Sequence, residues 1–530
     1  MPVEVVDAVV VGAGPNGLVA ANVLADAGWE VVVLEATDEA GGGVRSAELT
    51  APGFVNDVCS AFYPLSVASP HITSLELGKY GLTWRHAPAV LAHILPDGRC
   101  AVMSRDVAAT AASVAEFAAT DGAAWEREFA RWMRIRDDLV QSLLRPFPPV
   151  RPAARLLRTL GAADALRLAR LGIMPARRHV QECFEGEGAQ LLMAGCALHT
   201  DLGPDHAGSA VFGWLLAMLG QDVGFPVPEG GASRITEALV RRFTERGGRV
   251  DRGRAVHDVL VAGGRALGVR DAGGGLVRAR RAVLADVPAP TLYRSLVGAG
   301  HLPARLVDDL DRFEWDYATI KIDWALSGPI PWTARAAAGA GTVHLGADLE
   351  GLVGFGSDLS RRRIPEQPFI LLGQMTTADP TRSPAGTEAV WAYTHVPRGG
   401  RWDAGRLVQF AERIEGVIDR HAPGFSGRIL ERYLAGPEQL VAHNPSLVGG
   451  AINAGTSALH QQLVFRPVPG LARTDTPIDR LYLASASAHP GGAVHGAAGA
   501  NAARAALVRS GIAGGVYAAT IRAGHRLIYN

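Results

Sequence analysis

The pattern of apolar and polar residues predicts a strand–helix–strand unit at the start of the chain. Residues 5–11 form an apolar run rich in β-branched side chains, a glycine-rich turn follows, and residues 18–27 have the alanine and leucine content of a buried helix. The segment E-V-V-V-L-E at residues 30–35 predicts a second buried strand. Continuous apolar strands joined by a helix are typical of a parallel sheet that is covered on both faces.

The rest of the chain predicts a long helical region, a further helix and several short strands. Residues 105–220 are almost wholly helical in character, with prolines between the segments, and residues 404–420 predict a further helix. The other predicted strands are short apolar runs at residues 249–269, 281–285, 320–326, 369–375, 389–393 and 481–484. A chain of 530 residues is long enough for two packed domains. The pattern therefore predicts an α/β fold in which nucleotide-type segments at both ends bracket a helical and then β-rich middle.

Composition excludes several classes of function. The chain has 52 basic and 52 acidic residues, so no overall field attracts nucleic acid, and none is expected as a partner. The four cysteines are scattered and form no C-x-x-C pair, which argues against a dithiol redox centre or a zinc knuckle, and no metal is expected. Few cysteines, no signal-like segment and no long apolar stretch favour a cytoplasmic protein.

A dinucleotide-binding motif lies between the first strand and the first helix. Gly12, Gly14 and Gly17 form G-x-G-x-x-G directly after the strand, the position that the mechanism of the motif requires. Gly12 permits the tight turn, Gly14 lets a pyrophosphate approach the backbone, and Gly17 lets helix and strand pack closely. Because the helix N-terminus offers free N–H groups to phosphate, Pro15 and Asn16 are expected at the same site.

The end of the second strand supplies the expected ribose contact. Glu35 lies 18 residues after Gly17, close to the usual place of a carboxylate that binds ribose hydroxyls, and Ala36 follows it. The chain is therefore expected to bind a dinucleotide, and this spacing alone leaves NAD and FAD open.

The segment A-G-G-G-V-R-S at residues 40–46 resembles the G-G-x-x-R-[ST] element of the FAD family of amine oxidases and phytoene desaturases. The segment V-P-E-G-G at 227–231 and the long motif at 481–503 resemble later parts of the same family, closest to its branch of pyridine nucleotide-disulphide oxidoreductase domain proteins. The resemblance implies bound FAD, with contacts from Gly41, Gly42, Gly43, Arg45, Ser46, Val256, Ser485, Pro490, Gly491, Gly492, Ala493 and Val494. Two departures, Ser485 for glycine and His495 for proline, weaken the transfer of any particular substrate.

The same resemblance implies a division of the chain. A Rossmann-type, GR2-like FAD-binding domain is expected from residues 1–85, 225–292 and 441–530. A helical substrate region at 86–224 and a β-sheet substrate region at 293–440 are expected as insertions.

Two residues are candidates for catalysis. Lys321 is one of only two lysines, and alternation places it with Tyr317, Thr319 and Asp323 on one face of a strand. In related amine oxidases a lysine on a comparable strand binds water at flavin N5; the alternative is a lysine paired with Asp323 on the wet face of the sheet. His489 lies beside the implied flavin loop, where a structural role is as well supported as a catalytic one.

Two further features leave alternatives open. His199 either lines the substrate pocket or is a hydrogen-bonded core histidine. Residues 145–178 hold eight arginines and one acid. This segment is either a solvated helical face or a surface for peripheral membrane contact.

These features predict an FAD-dependent oxidoreductase that dehydrogenates or oxidises a lipophilic or amine-bearing small molecule by hydride transfer to flavin N5. Oxygen, a quinone or another carrier would accept the electrons, and a homo-oligomer is compatible with the sequence. The alternatives are a flavin-dependent isomerase without net redox chemistry and a regulatory protein that retains flavin.

We predict that NADH or NADPH alone reduces the bound flavin slowly or not at all. The chain carries one G-x-G-x-x-G motif, so a second dinucleotide site is not expected. Anaerobic stopped-flow mixing measures the rate. Fast, saturable bleaching by either nucleotide would show that a second site exists.

Overall fold

The computed structural model describes residues 4–529. Its strands, in chain order, are β1 Glu4–Val11, β2 Val31–Leu34, β3 Ser46–Ala47, β4 Asn56–Asp57, β5 Trp84–Arg85, β6 Ala89–Ile94, β7 Cys100–Met103, β8 Val227–Pro228, β9 Arg249–Asp251, β10 Val256–Ala262, β11 Arg265–Asp271, β12 Leu276–Ala285, β13 Ala318–Leu326, β14 Ala340–Leu345, β15 Ile370–Gln374, β16 Glu388–Val396, β17 Ile429–Ala435 and β18 Leu481–Leu483.

The helices lie mainly between residues 107 and 245 and near the two ends of the chain. They are α1 Pro15–Asp26, α2 Pro64–Ala68, α3 Pro70–Thr73, α4 Val107–Ala115, α5 Asp121–Leu144, α6 Val150–Ile173, α7 Ala176–Cys183, α8 Glu187–Ala197, α9 Ser209–Val223, α10 Ser233–Glu245, α11 Ala304–Asp311, α12 Leu349–Ser360, α13 Met375–Ala378, α14 Ala404–His421, α15 Pro437–His443, α16 Ala497–Ser510 and α17 Gly514–Tyr529.

The first sheet gathers strands from distant parts of the chain. β1 pairs in parallel with β2 and β12, β2 pairs with β9, and β12 pairs with β18. The β10–β11 hairpin joins the same sheet through an antiparallel pairing with β12. The parallel strands therefore end together at one edge, as in a Rossmann-type fold.

Both faces of this sheet are covered, as the apolar strands predicted. In β1, Ala8 and Val10 pack in the cluster that contains α1, α10 and α16, whereas Val9 and Val11 pack in a separate cluster on the opposite face. Successive side chains of a strand point to opposite faces, which is why a continuous apolar run is needed here.

The second sheet is mixed and has the strand order β17-β13-β16-β15-β14-β6-β7. One face packs on α14: Ile320, Ile322 and Trp324 share an apolar cluster with Phe410 and Ile414. The opposite face of β13 carries Lys321 and borders the main cavity. The predicted alternation along β13 is therefore confirmed.

Several predicted elements are confirmed with small changes of boundary, including the strands at 318–326 and 388–396 and the helix α14. Residues 89–94 and 100–103 differ from the helical character expected for 86–224, since they form β6 and β7 at the edge of the second sheet. The reason is local: A-V-L-A-H-I is a short, almost wholly buried run that pairs in parallel with β14.

The arginine-rich segment forms helix α6, which bends at Gly161. Its outer surface exposes Val150, Leu157, Leu166 and Ile173 among the arginines. Within residues 4–529, no helix combines the length and the apolar character that crossing a membrane requires.

Helix α16 packs directly against the start of α1. A Cβ atom built on Gly499 would lie 1.8 Å from the carbonyl oxygen of Asn16. This distance is far below van der Waals contact, so the two helices approach each other only because residue 499 has no side chain.

We predict that Gly499→Ala lowers the midpoint of thermal unfolding, because overpacking at a fixed backbone costs about 1–3 kcal/mol. Gly524→Ala is the matched control, since nothing lies within 4 Å of a Cβ at that helical position. The control should be neutral or stabilising by up to about 1 kcal/mol. Equal midpoints for the two variants, measured by circular dichroism, would contradict the packing described here.

Candidate functional site

A cavity of about 810 Å³ joins the two sheets. On one side it meets the carboxyl ends of the parallel strands, through Gly12 after β1, Glu35 after β2, Asp286 after β12 and Ser485 after β18. On the other side it meets the face of the second sheet opposite α14. Ligands of open α/β sheets bind at such a carboxyl edge, so the cavity is the candidate site.

Most residues predicted to bind the cofactor line this cavity. They are Gly12, Gly14, Pro15, Asn16, Glu35, Ala36, Gly42, Gly43, Arg45, Val256, Ser485, Pro490, Gly491, Gly492, Ala493 and Val494. Both predicted catalytic residues, Lys321 and His489, also line it. The structure thus brings together segments that are hundreds of residues apart in the sequence.

Three predicted contacts lie behind the cavity wall instead. The Gly17 N–H donates to Asp286 Oδ2 at 2.8 Å, and the Gly41 N–H donates to the Ala13 carbonyl at 2.8 Å. Ser46 lies on β3, where its hydroxyl donates to Asp57 Oδ1 at 2.9 Å. Direct cofactor contact from Ser46 stays a prediction; in the structure its hydroxyl holds the loop that carries Arg45.

The glycine motif forms a closely packed turn around Asp286. Gly12 has φ +93°, and a Cβ at this position would lie 2.8 Å from the Asp286 carbonyl oxygen. A Cβ at Gly17 would lie 2.2 Å from the Gly12 carbonyl oxygen. Any side chain here would push the helix away from the strand, so the turn leaves the N-terminus of α1 open to the cavity.

Glu35 is held at the rim of this turn. Its Oε2 accepts from the Ala13 N–H at 2.8 Å, and its Oε1 accepts from the N–H and hydroxyl of Thr37, each at 2.9 Å. A carboxylate can accept roughly four hydrogen bonds. Glu35 therefore keeps acceptor capacity toward the cavity, in a fixed orientation, as a ribose contact requires.

Sequence reasoning missed Asp286, which is partly buried beside the glycine turn and lines the cavity. Burial raises the pKa of its carboxyl to about 7, the Glu35 carboxylate adds to this increase, and the hydrogen bond from Gly17 opposes it. The available signal was its position directly after the predicted strand at 281–285, at the ligand-binding edge of the sheet.

Sequence reasoning also missed a clamped loop at residues 452–457. Arg466 is fully buried, and its guanidinium donates to the carbonyls of Asn453 at 3.0 Å, Thr456 at 2.9 Å and Ala486 at 2.8 Å. Asp316 accepts from the opposite side, from the N–H groups of Ile452, Asn453 and Gly455. Arg466 and Asp316 therefore hold the peptide groups of this loop from two sides with opposite charges. Arg466 also connects the loop to Ala486, in the segment that precedes Gly491.

Unpaired polar atoms show that this surface fits a polar ligand. Buried hydrogen-bonding atoms with no partner among the described residues occur at several positions that line the cavity: Asn16, Thr319, Thr342, His443, Asn453 and His489. Leaving such groups unpaired is costly, so a bound molecule that supplies partners is favoured. Together with the glycine turn and Glu35, these residues fit a flavin dinucleotide.

Lys321 lies at the junction of the two sheets and pairs with Asp323. Its Nζ is 2.5 Å from the Asp323 carboxylate, and the two side chains are 4% and 0% exposed. Burial raises the pKa of Asp323 to about 6, although the lysine opposes the increase. The predicted pairing of Lys321 with Asp323 is therefore present, but the pair is buried rather than exposed to solvent.

Two histidines accompany the C-terminal loop. His489 is buried, and burial, with the charge of Arg466, lowers its pKa to about 4. His495 Nδ1 accepts from the Ala497 N–H at 3.0 Å and caps the start of α16. The N-terminus of α16 carries the partial positive charge of the helix dipole and lies near the cavity. Because both imidazoles are neutral, they neither add to this charge nor oppose it.

Comparison with known proteins identifies the family to which this chain is similar. The model of the family described as flavin containing amine oxidoreductase matches residues 16–381. The pyridine nucleotide-disulfide oxidoreductase domain-containing protein 2 of Rattus norvegicus is 29% identical over 94% of this chain and 92% of that protein. The phytoene desaturase (neurosporene-forming) of Rhodobacter capsulatus is 24% identical over 92% of this chain and 91% of that protein.

Among solved structures, an oxidoreductase from Methanosarcina mazei superposes with a TM-score of 0.62 at 18% identity. The match covers 94% of this chain and 99% of that chain. At this level of identity the likeness shows a shared fold.

We predict that FAD affinity falls by at least about fivefold between pH 6 and pH 8. Over this interval Asp286 loses its proton, since its pKa is raised to about 7, and it adds a negative charge beside the phosphate-binding turn. Asp286→Asn should remove most of this pH dependence. The control is Asp258→Asn on β10, outside the cavity. An unchanged slope in Asp286→Asn, measured by flavin fluorescence titration, would contradict this role.

Proposed function

The chain belongs to the flavin-containing amine oxidoreductase family and is an FAD-dependent oxidoreductase, and from this premise we propose that it dehydrogenates a lipophilic organic substrate. The bound flavin supplies a hydride acceptor at N5, and the protein supplies binding, orientation and exclusion of water. The observation that carries the proposal is the continuity of the dinucleotide turn with an apolar chamber in one cavity.

The chamber lies between helix α9 and the face of the second sheet opposite α14. Its helical wall is apolar and consists of Val211, Phe212, Leu215, Leu216 and Leu219. The sheet opposite contributes Trp391 and Tyr393, whose rings stack at 5.7 Å between centroids. Apolar walls of this kind bind a hydrocarbon skeleton and keep water away from the reacting carbon.

An amine-bearing substrate has less support from this geometry. The carboxylates that line the cavity, Glu35 and Asp286, lie at the dinucleotide turn rather than in the chamber. An ammonium group placed between α9 and the sheet would therefore lose its hydration without gaining a counter-charge. We accordingly favour an uncharged substrate.

Anaerobic mixing of the FAD-loaded protein with lipophilic substrates tests the proposal. Dehydrogenation bleaches the flavin absorbance stoichiometrically, whereas isomerisation without net redox chemistry changes the substrate and leaves the flavin oxidised. A regulatory protein would bind without either change. Persistent oxidised flavin across substrates that bind would overturn the proposed dehydrogenation.

A variant pair links the reaction to the chamber. Leu216→Asp should retain FAD but slow flavin reduction at least tenfold, because the aspartate places a charge in the apolar wall. Leu527→Asp makes the same change at an exposed position of α17 and should react as the wild type does.

Peripheral membrane contact is a further part of the proposal. Helix α6 exposes apolar side chains among arginines, and Gly172 near its end lines the cavity. A lipophilic substrate could then pass from an anionic bilayer to the chamber. Sedimentation with anionic but not with neutral vesicles would support this contact, and no binding to either would remove it.

We predict that Lys321→Met leaves FAD bound but slows flavin reoxidation by oxygen at least tenfold, about 1.4 kcal/mol of barrier. Lys321 is a buried cation that lines the cavity, where it would stabilise negative charge as oxygen is reduced. Because the single change leaves Asp323 buried without a partner, Lys321→Met/Asp323→Asn tests the same effect in a neutral background. Wild-type rates in both variants would make Lys321 structural.

A further inference from the structure

A row of side chains, most of them polar or aromatic, crosses the face of the second sheet opposite α14. The strand register places Lys321 opposite Tyr393, and Tyr393 opposite Leu371. The same row continues from Leu371 to His344 and from His344 to His93. His199, just after α8, lies over this row and lines the chamber together with Tyr393.

Hydrogen bonds engage the three histidines, and one of these bonds joins the row to His199 at the chamber. His93 Nε2 lies 2.9 Å from the Ala347 carbonyl, and His199 Nε2 lies 3.0 Å from His344 Nε2. One nitrogen of the His199–His344 pair must donate and the other accept. The Tyr393 hydroxyl is 3.5 Å from His199 Nδ1, which is a weak contact, so the hydroxyl retains hydrogen-bonding capacity toward the cavity.

The three histidines carry no charge. Burial lowers the pKa of His199 to about 3 and that of His93 to about 4, and it holds the pKa of His344 well below its usual value. Among residues 4–529, no group of three or more His, Cys, Asp or Glu side chains is arranged to hold a metal ion. The histidines are therefore neutral hydrogen-bonding groups.

The nearest carboxylates are already engaged. Asp201 accepts from the Thr456 hydroxyl at 2.6 Å and from the Ser457 N–H at 2.8 Å, and Asp323 pairs with Lys321. A charged ligand group at Tyr393 would find no free counter-charge, whereas an uncharged hydroxyl or carbonyl would find a donor and an acceptor.

We propose that Tyr393, His199 and Thr342 form a subsite for an uncharged oxygen function, a hydroxyl or carbonyl, on the lipophilic substrate. Thr342 lines the same chamber, and its buried hydroxyl has no partner among the described residues. A pure hydrocarbon would leave these polar groups unpaired, and an ammonium or carboxylate would remain uncompensated. This inference rests on the proposed function and specifies its substrate class.

Ligand titration of the FAD-loaded protein tests the subsite through changes in the flavin absorbance spectrum, without turnover. The probes share one branched C10 skeleton and carry a hydroxyl (geraniol), an aldehyde, an amine, a carboxylate or no polar group. The alcohol and aldehyde should bind at least tenfold more tightly than the other three.

Isosteric variants assign the preference to named groups. Tyr393→Phe and Thr342→Val should each reduce the affinity for the alcohol at least threefold and leave that for the hydrocarbon unchanged. Tyr433→Phe on β17 and Thr394→Val on β16 are matched controls, because neither residue lines the cavity, and both should bind as the wild type does.

Three results would overturn the subsite: tighter binding of the amine or acid, equal binding of alcohol and hydrocarbon, or wild-type affinity for the alcohol in both cavity variants. A flavin spectrum that no probe perturbs would also count against it. These outcomes are separate from failure of the proposed function, which would appear as flavin that binds a substrate but is not bleached anaerobically.

Discussion

Close packing of backbone around Asp286 holds the glycine turn against the edge of the first sheet. The carboxylate accepts from the Gly17 N–H, and its main chain lies where a side chain on Gly12 would have to be. This contact joins β12 to the turn after β1 and so holds the N-terminus of α1 at the edge of the sheet. Helix α16 completes the arrangement through Gly499. The position of the α1 N-terminus is therefore a consequence of missing side chains at Gly12, Gly17 and Gly499.

The two faces of the second sheet have different surroundings: one packs in the protein core, and the other borders the cavity. Ile320 and Ile322 bury the first face against α14, whereas Lys321 and Tyr393 face the cavity. The polar side is nevertheless close to neutral, since Lys321 pairs with Asp323 and the buried histidines are uncharged. This neutrality is what favours an uncharged lipophilic substrate over an amine in the proposed reaction.

Local patterns were sufficient to predict the parts of the fold that depend on neighbouring residues. The apolar run of β1, the glycine turn and the alternation along β13 each follow from a few consecutive side chains. Contacts between distant segments could not be predicted in this way. Asp286 meets Gly17 across 269 positions, and Arg466 links two loops through backbone carbonyls, which leave no residue-specific signal. The burial of Lys321 and the alignment of the histidines follow from the register of the strands, which cannot be predicted from local sequence patterns.

We infer that the cavity holds one FAD between the glycine turn and the C-terminal loop. Denaturing the purified protein, and then identifying and quantifying the released flavin by chromatography, tests this inference. We expect yellow protein that releases FAD, close to one per chain. Colourless protein that cannot be reconstituted with FAD, or release of FMN in its place, would contradict it.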